Sequence, residues 1–297
     1  MKCKKHPKYL GKRKPTSGCE TCIEIWKNKN PIEKYRGQDK IKSKPIRLNR
    51  YEMKVKPGKD YAEMVFWGDV HLGHPKCQEK DAKDMLEHCL QKNIPVLLMG
   101  DLIESGTRES VGSGVYEQLI NPQVQMEQMI EWLTPLAEKN LIIGLHQGNH
   151  ENRITNMTGI DVSKVMARIL KVPYLGYACW NLIKVGKQNY TVYSNHGSSG
   201  SRFKHTKMKA VMDLTGWLDA DCIAMGHVHS VASEAMIKQQ VDMRNKTVVE
   251  KKCYVVLTGS YISWDGTYAQ MKNFPITKLG SPKAKLFADR KEIYFSF

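Results

Sequence analysis

From Tyr61 onward the apolar residues of this chain change their spacing in a regular order. Tyr61–Trp67 is an apolar run that stops at Gly68, the length of one buried strand. Ala82, Met85, Leu86, Cys89 and Leu90 then recur at helical spacing. Pro95–Met99 is a second short strand, closed by Gly100. Asn121-Pro122 has the form of a helix cap followed by a first-turn proline, and behind it Met126, Met129, Ile130, Leu133 and Leu136 line one face. Leu141–Leu145 is the third strand, and a helix is expected around Asp161–Leu170. This βαβαβ order predicts parallel strands with helices outside.

The second half is richer in strands. Leu182–Val185, Tyr190–Ser194 and Asp221–Met225 read as strands, 231–243/247–258 and 283–288/292–297 as hairpins, and His205–Leu214 as an interrupting helix. Two sheets packed face to face, with helices outside, accommodate that pattern. The expected fold class is α/β.

Polar residues stand where the strands end. The three early strands run into Gly68-Asp69-Val70-His71, Gly100-Asp101 and Gly148-Asn149-His150. Two later strands run into Asn195-His196-Gly197 and Gly226-His227-Val228-His229. In open α/β sheets, sites form outside the carboxyl ends of the strands. Asp69 with His71, and His227 with His229, face one side if the backbone there is extended. Mixed carboxylate and imidazole donors suit manganese, iron or zinc. Seven donors are too many for one ion; two ions sharing Asp101 would use them all.

In this order, Asp69-x-His71, Gly100-Asp101, Gly148-Asn149-His150-Glu151, His196 and Gly226-His227-x-His229 resemble the five signature blocks of calcineurin-like metallophosphoesterases. The resemblance covers about 160 residues. It implies a four-layer sandwich of two mixed sheets flanked by helices. It also implies a dinuclear site, with Asp69, His71 and His229 on one ion, Asn149, His196 and His227 on the other, and Asp101 bridging. Manganese is the first expectation, with iron or zinc as alternatives. The implied reaction is attack on phosphorus by a hydroxide shared between the ions. His150, a non-ligand, would protonate the leaving oxygen. Glu151 either orients a neighbour or is an ordinary acid in a helix first turn.

Two blocks depart from the protein-phosphatase pattern. Gly100-Asp-Leu-Ile-Glu-Ser-Gly106 and His146-Gln-Gly-Asn-His-Glu151 lack the arginines those enzymes usually carry, whereas Asp69-Val-His-Leu-Gly73 is closer to the repair-nuclease branch and to bacterial and bacteriophage members. The Gly/Ser-rich segment Glu104–Gln118 forms a long loop beside the expected metals. Arg108 and Arg153 are candidate phosphate binders there, or plain surface arginines. Ser201–Lys209 is a basic patch or a solvated helix start. The expectation is a phosphodiesterase acting on nucleic acid. The alternatives are a small-molecule phosphodiesterase or phosphatase, and an inert nucleic-acid-binding protein on the same fold.

Charge separates the N-terminal fifth from the rest. The formal net charge is +16, and residues 1–60 hold 19 Lys/Arg against 6 Asp/Glu, while the remainder holds 27 against 24. A cationic appendage on a nearly balanced body suggests a polyanionic partner, here nucleic acid. It also contains Cys3-x2-His6 and Cys19-x2-Cys22, two ligand pairs that suit one tetrahedral structural zinc. The organisation expected is a zinc-binding module over 1–30, a basic linker over 31–60 with room for one helix or strand packed on the main body, and a catalytic domain over 61–297. The other five cysteines (Cys77, Cys89, Cys179, Cys222, Cys253) read as buried thiols. No signal-peptide or membrane-spanning run is present, so a soluble cytoplasmic protein is expected, in the host's cytoplasm if a bacteriophage encodes it. No heptad or apolar patch predicts an oligomer.

Overall fold

The computed structural model describes residues 3–16, 18–29, 48–108, 110 and 114–297. The chain divides into two units, Met1–Arg47 and Leu48–Phe297. In the smaller, the described residues form one helix, α1 (Glu20–Lys29), after a turn-rich segment.

The larger unit holds twelve strands among its described residues. These are β1 (Leu48–Met53), β2 (Tyr61–Trp67), β3 (Val96–Leu98), β4 (Ile142–His146), β5 (Tyr174–Gly176), β6 (Ala178–Val185), β7 (Gln188–Asn195), β8 (Cys222–Met225), β9 (Val231–Asp242), β10 (Thr247–Thr258), β11 (Lys283–Phe287) and β12 (Ile293–Ser296). Five longer helices lie between them: α2 (Glu79–Lys92), α3 (Pro122–Glu138), α4 (Asn149–Thr158), α5 (Val162–Leu170) and α6 (Lys204–Asp213). Asn121 caps α3 by accepting the Val124 N–H, with Pro122 in the first turn, and Asp161 caps α5 by accepting from Lys164.

Two six-stranded sheets result, ordered β12-β11-β2-β3-β4-β5 and β1-β6-β7-β8-β10-β9. In the first, β2 to β5 run parallel and β11 pairs antiparallel with both β2 and β12. In the second, the pairs β1/β6, β7/β8 and β8/β10 are parallel, while β6/β7 and β9/β10 are antiparallel. Both sheets are mixed, as the resemblance implies.

The two-residue period of a strand sorts its side chains between layers. Ala62, Met64 and Phe66 of β2 join Ile183, Val185, Val192, Cys222 and Val256 in a core between the sheets. Val65 and Trp67 point the other way, into a second core with Leu86 of α2, Leu133 of α3 and Met166 of α5. On the outer face of the second sheet, Ile223, Val255 and Leu257 pack with Val211 of α6. The order helices, sheet, sheet, helix is the expected four-layer sandwich. β2, β3 and β4 are buried on both faces, which is why they read as continuous apolar runs.

The boundary of the larger unit differs from expectation. Part of the expected linker, residues 31–47, lies outside the described residues. Its later part supplies the packed strand that the linker reading allowed: Leu48–Met53 pairs with all of Trp180–Val185 as an edge strand. The sequence does not place β1 because only alternate residues are covered and only Met53 is fully buried, so LNRYEM shows no apolar run. Strand β5 was not anticipated, and helix α4 only as a helix whose first turn would hold Glu151. Among the described residues, no helix is long and apolar enough to cross a membrane.

A chain that begins at Leu48 is expected to keep the melting temperature of the larger unit. One that begins at Tyr61 loses β1 and the Met53 side chain, and its melting temperature is expected to fall by roughly 5–15 °C. Calorimetry of the two truncations decides it, and equal melting temperatures would show β1 to be dispensable.

Candidate metal centre

All seven expected donors meet at one end of the sandwich. β2, β3 and β4 bring Asp69, His71, Asp101 and Asn149 from the first sheet, while β7 and β8 bring His196, His227 and His229 from the second. Two of the groups that form are Asp69/His71/His229 and Asp101/His196/His227, each with ligand atoms within 4.8 Å of one another. His71 Nε2 lies 3.1 Å from His229 Nε2, which in turn is 3.4 Å from Asp69 Oδ1. Asn149 Oδ1 sits 2.9 Å from His196 Nε2 and 2.7 Å from His227 Nδ1, and so joins the second group.

Asp101 lies between them. Its Oδ1 accepts the backbone N–H of His150 at 2.8 Å. Its Oδ2 is buried and makes no hydrogen bond among the described residues, yet it faces His196 Nε2 at 3.2 Å, His71 Nε2 at 3.7 Å and His150 Nε2 at 3.9 Å. A buried carboxylate oxygen left without a donor is costly unless a cation neutralises it. The ring nitrogens around it have their other ends tied. His196 Nδ1 donates to the Met99 carbonyl at 2.8 Å, and His71 Nδ1 is 3.0 Å from Glu104 Oε2. A carbonyl and a carboxylate only accept, so both imidazoles carry the proton on Nδ1 and present the Nε2 lone pair to the cluster. The donor set therefore fits two divalent ions sharing Asp101.

The backbone is bent to make this arrangement. Asp69, His71, Asp101, His227 and His229, five of the seven donors, have φ between 48° and 67°. Left-handed backbone at such residues costs about 1–3 kcal/mol each and concentrates at functional sites. Asp69/His71 and His227/His229 are therefore not extended, and kinked loops, not strand pleat, aim them inward. The two long loops support each other: Asp69 N–H donates to Gly100 O, Val70 and His71 N–H to Asp101 O, and Leu72 N–H to Leu102 O. At Gly148 a side chain could not fit, because its Cβ would fall 2.1 Å from Asp101 Oδ1 and 2.2 Å from Asp101 N.

Glu151 explains how Asp101 is held. It is buried, its Oε2 accepts the N–H of Asp101 and Gly148, and its Oε1 accepts those of Leu102 and Ile103. Burial and the neighbouring Asp101 carboxylate push its carboxyl up to about 7, against these amide donors, which favour the anion. Of the two readings of Glu151, both apply: it lies in the first turn of α4 and it positions a donor loop.

Glu104 is a site residue that the sequence reading did not single out. It is 6% exposed, with Oε2 at 3.0 Å from His71 Nδ1 and 3.3 Å from His150 Nδ1, and Oε1 at 3.5 Å from Arg153 Nη1. Burial raises its carboxyl, but His150 and His71 outweigh that and hold it well below the usual carboxylate range. The signal available was its place three residues after Asp101.

His150 Nδ1 donates to the Glu104 carbonyl at 2.8 Å, and Arg153 Nη2 donates to His150 Nε2 at 2.9 Å. Burial opposes a charge on this imidazole, while Asp101 and Glu104 more than offset it and raise its pKa. Arg153 is thus at the site. Arg108 is exposed on its loop, and among the described residues no hydrogen bond or ion pair joins it to the cluster. Residues 109 and 111–113 of that loop lie outside the described residues. The expected basic patch at 201–209 is broken at Lys207, which is buried with its Nζ on Ser230 Oγ. Cys3, His6, Cys19 and Cys22 form a separate cluster in the smaller unit. Of the other cysteines, Cys89, Cys222 and Cys253 are buried, while Cys77 and Cys179 are half-buried.

A family model described as calcineurin-like phosphoesterase matches residues 64–274, more than two thirds of the chain. The chain belongs to the calcineurin-like phosphoesterase family. It is a metal-dependent phosphoesterase. No curated protein matches it. Among solved structures, it is similar to a conserved predicted phosphoesterase of Streptococcus pneumoniae TIGR4 (10% identity, TM-score 0.34, covering 80% of this chain and 100% of that one). It is also similar to a metallophosphoesterase of Sphaerobacter thermophilus (12%, 0.34, 78% and 87%) and to a double mutant of Vps29 from Entamoeba histolytica (15%, 0.35, 79% and 97%). These likenesses are too distant to add to the assignment, which rests on the family model.

Glu104→Gln is expected to lower affinity for divalent metal about 10–100-fold while the fold is retained, because the amide no longer fixes the His71 tautomer. Metal titration by calorimetry with a circular-dichroism control checks this. Unchanged affinity would mean that packing alone orients His71.

Proposed function

We propose that this phosphoesterase hydrolyses phosphodiester bonds in nucleic acid. The observation that carries the hydrolytic part is the orphaned, buried Asp101 Oδ2 facing three imidazole nitrogens. Two divalent ions, manganese by preference, would be held by Asp69, His71 and His229 and by Asn149, His196 and His227 with Asp101 between, and would supply charge neutralisation and acidify water.

The chain's own residues do the rest. Arg153 and His150 stand side by side at the edge of the cluster, partly exposed at 25% and 15% of their side chains. Arg153 offers a guanidinium for a non-bridging phosphate oxygen. In doing so it leaves His150 Nε2, the nitrogen it now holds, free to face the leaving oxygen. Asp101 and Glu104 favour the protonated imidazole, so His150 can deliver a proton from Nε2 while Nδ1 stays on the Glu104 carbonyl. The chemistry needs an anionic phosphoester, and both diesters and monoesters qualify. The nucleic-acid part rests on charge: Lys4, Lys5, Lys8, Lys12, Arg13 and Lys14 are all exposed in the smaller unit.

With manganese supplied, Asp101→Asn is expected to lose both metal and hydrolysis, whereas His150→Asn keeps its metal and loses about 10²–10⁴-fold in kcat. The assay compares single-stranded DNA, duplex DNA, RNA, a small aryl phosphodiester and a phosphomonoester. Activity confined to the monoester would overturn the nuclease reading. No activity on any of them with both metals bound would indicate an inert binding protein. Normal turnover in metal-loaded Asp101→Asn would overturn the mechanism.

Deleting residues 1–47 is expected to weaken nucleic-acid binding and flatten its salt dependence, while cleavage of the aryl diester persists. Fluorescence anisotropy over a range of salt concentrations tests this, and unchanged affinity would remove the smaller unit from substrate binding.

A further inference from the structure

We infer that Cys3, His6, Cys19 and Cys22 hold one zinc ion in a closed structural site, and that this ion is what folds the smaller unit. The sequence pairs the donors; the structure adds their geometry. Cys3 Sγ lies 3.6 Å from Cys19 Sγ and 3.7 Å from His6 Nδ1, and Cys22 Sγ lies 3.3 Å from the same His6 Nδ1. All four donor atoms are within 4.8 Å of one another. Zinc bonds of about 2.3 Å to sulfur and about 2.05 Å to nitrogen, set tetrahedrally, give donor separations of about 3.8 Å and about 3.6 Å. The observed edges, 3.6 Å between sulfurs and 3.3 and 3.7 Å from sulfur to nitrogen, lie close to those values.

Local structure explains why the donors meet. Cys19 immediately precedes α1 and Cys22 lies in its first turn, and residues three apart share a helical face. The Tyr9 N–H closes a turn on the His6 carbonyl, which brings the Cys3–His6 pair back over that face. His6 faces two thiols through one nitrogen, Nδ1. Three thiols and one imidazole, all from this chain, fill the four positions, so no coordination site is left for substrate, and the role is structural.

The packing supplies a second reason. Among the described residues of this unit, the buried apolar cluster is Cys3, Cys22 and Ile25, with Tyr9 and Cys19 partly covered against it. That is far too little apolar burial to offset the chain entropy of some thirty residues. A single ion tying both ends of the segment supplies the missing free energy. The cysteines are free thiols, so no disulfide substitutes for it.

The test uses the full chain with Asp101→Asn, which removes the bridging donor of the phosphoesterase centre. This protein is expected to retain one zinc equivalent per chain by elemental analysis. Replacing zinc with cobalt should give a sulfur-to-cobalt charge-transfer band, which the phosphoesterase centre cannot produce because it contains no thiolate. Adding Cys19→Ser and Cys22→Ser should abolish both the zinc and the band. In the unmutated chain, chelation should expose three thiols to a thiol-specific reagent, and zinc should protect them again. Absence of the band, its persistence in the serine variant, or thiols equally reactive with and without zinc would each overturn the proposal. None of these readouts depends on hydrolysis, so failure here leaves the phosphodiesterase reading untouched.

Discussion

The Asp101 carboxylate is the constraint around which the larger unit is organised. It is buried at the meeting point of two sheets, one oxygen on a backbone amide and the other aimed at ring nitrogens. In a low-dielectric interior that arrangement is unstable by itself, because an unsolvated anion has no compensating donor and neighbouring lone pairs repel. Cations resolve both problems together. The free energy that the site lacks without them becomes binding free energy when they arrive, so metal affinity and local fold are linked quantities.

Much of the surrounding structure can be understood as holding that carboxylate where it would not otherwise stay. Glu151 takes four backbone N–H groups from the loops on either side of it. Gly148 lets one loop approach within a distance no side chain allows. Five donors sit in left-handed backbone, each at a cost that only rigid surroundings sustain. The strands behind them are buried on both faces, and such a core deforms little. Strain at the loops and close packing behind them are two sides of one arrangement.

How much of this was legible follows from the kind of signal each residue leaves. Asp69, Asp101, Asn149 and His196 could be found because each follows an apolar run at a strand end, where a core-facing polar residue has little other reason to be. The four layers were legible for the same reason, since period two and period 3.6 survive in a single sequence. Glu104 left no comparable trace, and Glu151 could be named but not decided between two roles: an acid near a ligand block is ordinary, and what matters is which amides and imidazoles surround it in space. β1 was allowed for but not located, because an edge strand covered on alternate residues looks like a basic, polar linker. The direction of the donor pairs could be given only on the condition of extended backbone, and that condition fails where the loops turn left-handed. Arg153 could be named but not ranked above Arg108, since both are arginines beside a block and only the fold carries Arg153 to His150.

The same reasoning separates the two units by what stabilises them. The larger one buries three apolar clusters and can afford a strained, charge-dense end because the cost is spread over a large core. Among its described residues the smaller has no such reserve: its buried cluster is Cys3, Cys22 and Ile25, two of them donors. Cationic side chains are easily displayed on a scaffold of that kind, since almost none of its surface is needed for burial. Charges on the smaller unit can therefore vary without disturbing the tightly constrained donors of the larger.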